Sequence, residues 1–361
     1  MKKKYLPTAW GLALGGLAGN NAHGAGVLQA ALEQNAPPQM VSCSSGQVYW
    51  VYRYLACLKK EKREGLLRKL LVEDIEQVSP TGMESFDSAI VSVAGKPDVF
   101  RPALAEFPLN VASNFAGALW NIVTHATQDW RALFSAHREF ARIFPAQLLV
   151  PLFTDSFFED ISETFNNNQD IGLVFNSYDV YSGEERVYCN ECARDALGIE
   201  FGAKNSYRQD TVYRRITPEA VCEVLWIYEY GKPDRVTAAD GAYYRQIMLS
   251  ELSPVHTIFI ARPVNSRWIG SFPKSWTGIQ DLKTEVNFNG SYAGERDKIK
   301  LINRFIKDQT IPKEKNYHYI KLIEIEVQLQ RGYFDDVRES VDVFDQAYER
   351  ARSEFVSAKA G

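Results

Sequence analysis

Two stretches near the start of the chain constrain its fold more than anything else in it. LALGGLAGNNAHGAGVLQAAL (residues 12–32) and MVSCSSGQVYWVYRYLACLKK (residues 40–60) each run from apolar, β-prone residues through a turn of small residues into a helical pattern. In the first, Val27, Leu28, Ala31 and Leu32 recur at helical spacing after Gly26. In the second, Val48, Val51, Tyr52 and Leu55 share one helical face, and Lys59 and Lys60 stand where a helix dipole favours cations. Strand, sharp turn, helix, twice in about fifty residues, is the grammar of an open α/β sheet whose site lies along one edge.

A secretory leader competes for the first stretch, because three lysines precede its apolar run. Gly11, Gly15, Gly16 and Gly19 interrupt the uninterrupted apolar centre that such a leader needs. The segment is therefore expected to be retained as a glycine loop, whose unhindered amides can point at developing negative charge. Five cysteines, an odd number in 361 residues, fit a reducing, cytoplasmic compartment better than a disulfide framework. A net charge of -4 gives no electrostatic case for nucleic acid, and no apolar run of roughly 18 residues suggests a membrane span.

In the second stretch, Ser44 follows the short β-prone run Met40 to Cys43, and Gly46 stands two residues beyond it. That is the outline of a nucleophile elbow, with Ser42 where the first glycine of GxSxG is usual. An ordinary strand-to-helix turn, its serines capping the helix, reads the same letters equally well.

The two stretches together resemble the opening of a patatin-like phospholipase domain. IGLVFNSYDVYSGEERVY (residues 171–188) is similar to that family's strand pair, and Asp240-Gly241-Ala242 looks like its catalytic Asp-Gly-Gly/Ala motif. VHTIFIARP follows as the next core strand, so the resemblance covers roughly residues 9–263. It implies a three-layer α/β/α fold with a mainly parallel central sheet and a helical C-terminal end. One domain spans 1–361, with a core of about 8–265 and residues 295–358 packed on it. It further implies a Ser44–Asp240 dyad without histidine, an oxyanion hole from Gly15, Gly16 and Leu17, and an elbow glycine at Gly46. The implied substrates are carboxylic esters of lipids, with transient contact to a membrane surface and neither cofactor nor metal. A carboxylate with a reference pKa near ~3.9 is a feeble base in water, and a desolvated site would raise it.

The glycine loop departs from the family pattern. It is one residue longer, carries asparagine near the expected basic position, and has Leu17 where glycine is usual. This keeps open a second reading, a catalytically weak protein of the same fold that binds lipids or a partner.

A Ser44, Asp240, His256 triad has the right chain order, but His256 precedes a strand and so belongs to the sheet's other end. His125 and His137 fall in helical pattern, His318 begins a strand, and His23 sits in the glycine loop. Cys189 and Cys192 have zinc spacing without a second pair, leaving only Cys222 as a further ligand. The basic cluster of residues 59–69 reads as a solvated helix end, and the aromatic-rich stretch 115–153 as helical core or a cap over the site. The stripe of Phe334, Val337, Val341, Phe344, Tyr348, Ala351 and Phe355 predicts a C-terminal helix docked on its own domain rather than a dimer seam.

Overall fold

The structure is a computed structural model describing residues 9–17, 21–34, 37–78, 99–103, 112–113, 115–120, 124, 147, 149–205, 208, 210–231, 236–269, 271–274, 276–311, 317–327 and 339–360. In chain order its elements are β1 (Trp10–Leu14), α1 (Ala22–Glu33), β2 (Met40–Cys43), α2 (Gln47–Leu58), α3 (Leu66–Val78), β3 (Phe100–Pro102) and β4 (Leu149–Pro151). There follow α4 (Asp155–Asn166), β5 (Gly172–Asp179), β6 (Glu184–Cys189), α5 (Glu191–Leu197), β7 (Thr211–Arg215) and α6 (Pro218–Leu225). The chain continues through β8 (Ala239–Asp240), α7 (Ala242–Arg245), β9 (Thr257–Arg262), α8 (Trp276–Lys307), β10 (Lys321–Glu326) and α9 (Val341–Ala360).

The main sheet has the order β10-β9-β1-β2-β5-β6-β7, with β8 added beside β5. Strands β10, β9, β1, β2 and β5 run parallel, while β6 and β8 each pair antiparallel with β5. Helices flank this sheet, giving the three-layer α/β/α fold. Every residue of β1, β2 and β9 is buried, as expected of central parallel strands covered on both faces. Their short, nearly continuous apolar runs follow from that double covering. The hairpin expected over 171–188 forms, with its turn closed by the Gly183 amide donating to the Asp179 carbonyl (2.8 Å).

Helix α1 starts at Ala22, one turn earlier than the periodicity from Gly26 suggests, so His23 lies in its first turn rather than in the loop. It is buried almost throughout, because α9 closes over the side that the sheet leaves open. Its small residues permit the approach: a Cβ at Gly26 would overlap the carbonyl of Phe344. Phe344, Ala351 and Phe355 are buried there, the Tyr348 hydroxyl donates to Glu33 (2.6 Å), and Phe355 sits against Phe259 with ring centroids 4.5 Å apart. The C-terminal helix thus docks on its own chain, as its apolar stripe predicts. Of that stripe, Phe334 and Val337 lie outside the described residues.

On the far side of the sheet a buried ion cluster holds the segment after Asp240. Arg245 donates to Glu185 (2.8 Å) and, bidentately, to Glu251 (2.7 and 2.9 Å), with Glu295 of α8 at 3.4 Å. All four side chains are almost wholly removed from solvent. Such a cluster resists rearrangement, since withdrawing one partner strands charge in a dry interior.

Candidate active site

Strands β1, β2 and β5 deliver their carboxyl ends to the same edge, and the glycine loop and the serine turn both emerge there. The Ser44 amide still donates to the Leu14 carbonyl (3.2 Å), so Ser44 continues the ladder of β2 by one residue. Side chains alternate along a strand, which puts Ser42 and Ser44 on one face. Both hydroxyls indeed point to the segment after α7: Ser42 donates to the Met248 carbonyl and Ser44 to the Gln246 carbonyl, each at 2.6 Å.

The residue at the apex is Ser45. Its φ of 53° puts a side-chain-bearing residue in the left-handed region, the strained conformation that marks a nucleophile elbow. Helix α2 follows at once with Gly46 as its N-cap, so Gly46 stands one residue past the apex rather than two, and Gln47 occupies the place where the template expects glycine. The expectation of Ser44 beside Asp240 is therefore corrected: the structure brings Ser45 there instead. The reason is register. Counting back from Gly46 on a GxSxG template selects Ser44, but the turn begins one residue later than the template assumes.

Asp240 ends β8, opposite Ser177 of β5, with its amide donating to the Trp226 carbonyl (2.9 Å). The glycine after it is required by space, since a Cβ at Gly241 would lie 2.5 Å from the Asn176 Cγ. Burial pushes the Asp240 carboxyl from its ordinary value of 3.8 up to about 7; hydrogen bonding from the Ser45 side chain and the Ala242 amide opposes this, and the nearby Glu229 charge adds to it. Burial as the dominant cause is what a proton acceptor for neutral pH needs. The Ala242 amide lies 2.9 Å from its Oδ1 and holds the carboxyl plane.

The glycine loop lies directly over the elbow. A Cβ at Gly16 would overlap both the Ser45 Cβ and the Ser44 carbonyl oxygen, so only glycine fits. Its amides, however, are engaged: Gly15 donates to the Ala261 carbonyl (3.3 Å), Gly16 to the Ser44 hydroxyl (2.9 Å) and Leu17 to Asn21 Oδ1 (3.1 Å). The expected oxyanion hole of Gly15, Gly16 and Leu17 is thus corrected for this state, because each donor already has an acceptor inside the fold. The Gly46 amide, at the start of α2, has no acceptor among the described residues and points from the residue after the elbow. Gln246 completes a bracket on the loop, its Nε2 donating to the Gly16 carbonyl (2.8 Å).

His23 is buried beneath this loop, its Nε2 2.8 Å from the Gly15 carbonyl, and burial lowers its pKa to about 4. It braces the loop as a neutral ring. His256 is exposed at the amino end of β9, with its ring centroid 4.2 Å from that of His318. It lies at the edge opposite Ser45, so His256 does not complete a triad with Ser45 and Asp240. His125 and His137 lie outside the described residues, as do Trp130, Phe134, Phe140 and Phe144 of the aromatic stretch. Of the rest, Phe115 and Trp120 are exposed, and Phe153 stacks on Phe157 (5.5 Å). The small β3–β4 sheet belongs to the same neighbourhood: Phe100 of β3 packs with Tyr230, four residues past Trp226, whose carbonyl anchors Asp240.

Sequence reasoning missed Ser45, Asn21, Gln246 and Glu339. The alternation of Ser42 and Ser44 along β2 was the signal for the first; the others are polar residues joined to the loop only by the fold. In comparisons with known proteins, no family model matches the chain and no curated protein matches it.

Proposed function

We propose that the protein is a serine acyl hydrolase in which Ser45 and Asp240 form a catalytic dyad acting on carboxylic esters of lipids, of the phospholipid or lysophospholipid type. One observation carries the reading: a strained serine at a strand-to-helix apex faces a buried carboxyl whose pKa is pushed up to about 7. As the Ser45 oxygen attacks the ester carbonyl carbon, Asp240 takes the hydroxyl proton, and the carbonyl oxygen becomes an oxyanion. The Gly46 amide, at the amino end of α2, is the donor assigned to stabilise that charge. Asp240 then gives the proton to the leaving alkoxide, and an alcohol departs from the acyl-enzyme. Water, deprotonated by the same carboxylate, releases the fatty acid and restores Ser45.

The lipid assignment follows the motif resemblance, and transient contact with a membrane surface goes with it. No described helix is long and apolar enough to cross a membrane. The five cysteines are free thiols, which supports a reducing, cytoplasmic setting. A weakly catalytic, lipid- or partner-binding protein is the second reading, favoured by the engaged amides of Gly16 and Leu17. Hydrolysis of nitrophenyl esters of increasing chain length by wild type and Ser45→Ala separates the two. The proposal expects activity in wild type only; equal rates in both proteins would leave the binding reading.

A further inference from the structure

We propose that Glu339, a residue far outside the motif-bearing part of the chain, is a positioning residue for the glycine loop and the serine elbow. The proposal rests on the acyl-hydrolase reading above. Glu339 is buried just ahead of α9, and its two carboxylate oxygens serve different elements. Oε2 accepts the backbone amide of Asn21 (2.8 Å), 318 residues away, and Oε1 accepts the indole N–H of Trp50 (3.0 Å). Asn21 is the N-cap of α1, and Trp50 stands in the first half of α2, five residues past Ser45.

Asn21 in turn is the hub of the loop. Its Oδ1 holds the Leu17 amide (3.1 Å), and its carbonyl accepts Gln47 Nε2 (3.1 Å) from the first turn of α2. One carboxylate therefore ties the start of α1 to α2, and through Asn21 fixes where the glycine loop sits over the nucleophile. A charged acceptor suits the place, because hydrogen bonds to an ionised group are shorter and stronger than neutral ones. It also lies at the amino end of α1, where negative charge is favoured. The C-terminal helix keeps Glu339 in place: Phe344, Ala347 and Ala351 are buried against α1 in the turns that follow. The C-terminal segment thus completes the site rather than merely covering the domain.

Two readouts on the full chain test this, with wild type, Glu339→Ala, Glu339→Gln and Ser45→Ala. Residue-resolved amide hydrogen exchange reads the tether whether or not any ester is hydrolysed. In Glu339→Ala, the Asn21 and Leu17 amides should exchange at least about tenfold faster while Leu12 of β1 is unchanged, as for local rather than global opening. Ester kinetics read the consequence: kcat should fall about tenfold or more at unchanged KM, since a shift of about 1 Å in reacting geometry costs up to 10²-fold. Glu339→Gln, which keeps one acceptor oxygen, should recover part of both. Should Glu339→Ala fail to fold, Glu339→Gln and Asn21→Ala carry the same measurements. Unchanged Leu17 exchange, or a wild-type kcat in a variant that has merely lost global stability, overturns the proposal. Absence of hydrolysis in wild type would refute the acyl-hydrolase reading instead, with exchange still deciding the tether.

Discussion

Replacing Asp240 by asparagine should make the protein more stable as it makes it inert. Burial lifts this carboxyl from 3.8 to about 7. In the window between those values the native state binds a proton that the unfolded chain has released, so stability falls as pH rises through it. The loss is complete above pH 7 and absent below pH 4. A displacement of this size corresponds to about 4 kcal/mol at full ionisation, an upper figure for one group. Asparagine carries no charge to bury and keeps an oxygen for the Ala242 amide, which Asp240 Oδ1 now accepts at 2.9 Å. Urea unfolding of both proteins at pH 4.5 and pH 8 measures the effect. The stability of Asp240→Asn relative to wild type should grow by about 3 kcal/mol between the two pH values. Hydrolysis should be lost throughout, while wild-type kcat/KM climbs about tenfold per pH unit to a plateau above pH 7. A stability difference that does not change with pH would show that Asp240 ionises without penalty, and the base assignment would lose its physical ground.

Other perturbations follow from the same geometry. Gly16→Ala must push its Cβ into Ser45, so hydrolysis should vanish and thermal denaturation should show a loss of about 1–3 kcal/mol from the forced overlap. Arg245→Met leaves Glu185, Glu251 and Glu295 without their shared cation; chemical denaturation at pH 8 should show a cost of about 3–5 kcal/mol. Phe344 and Tyr348, both replaced by aspartate, should lower the melting temperature equally at every protein concentration, because α9 docks on α1 of its own chain.

The parts of this fold that were legible in the sequence are those governed by local pattern. Buried strands β1, β2 and β9 read as short apolar runs, the 171–188 hairpin as strands flanking a Gly-Glu turn, and α9 as an apolar stripe. The strand end at Asp240 was legible because β-prone residues there run into an Asp-Gly pair. The apex of the serine turn was misread by one position, since Ser44 and Ser45 have the same chemistry and differ only in which residue leaves the ladder of β2. The freedom of the loop amides was misjudged for another reason. A glycine loop announces free amides, but whether Ser44 and Asn21 occupy them depends on side chains brought in by folding. Glu339 was invisible for the same cause: its partners Asn21 and Trp50 lie about three hundred residues away.

The central claim is that Ser45 is the nucleophile, and one measurement addresses it directly. Wild-type protein is treated with a fluorophosphonate, digested, and the fragmentation spectrum of the peptide containing Ser42, Ser44 and Ser45 is used to place the adduct. The account predicts a single adduct on Ser45, formed at a reduced rate in Ser44→Ala and absent in Ser45→Ala. An adduct on Ser44, or labelling that survives in Ser45→Ala, would contradict it.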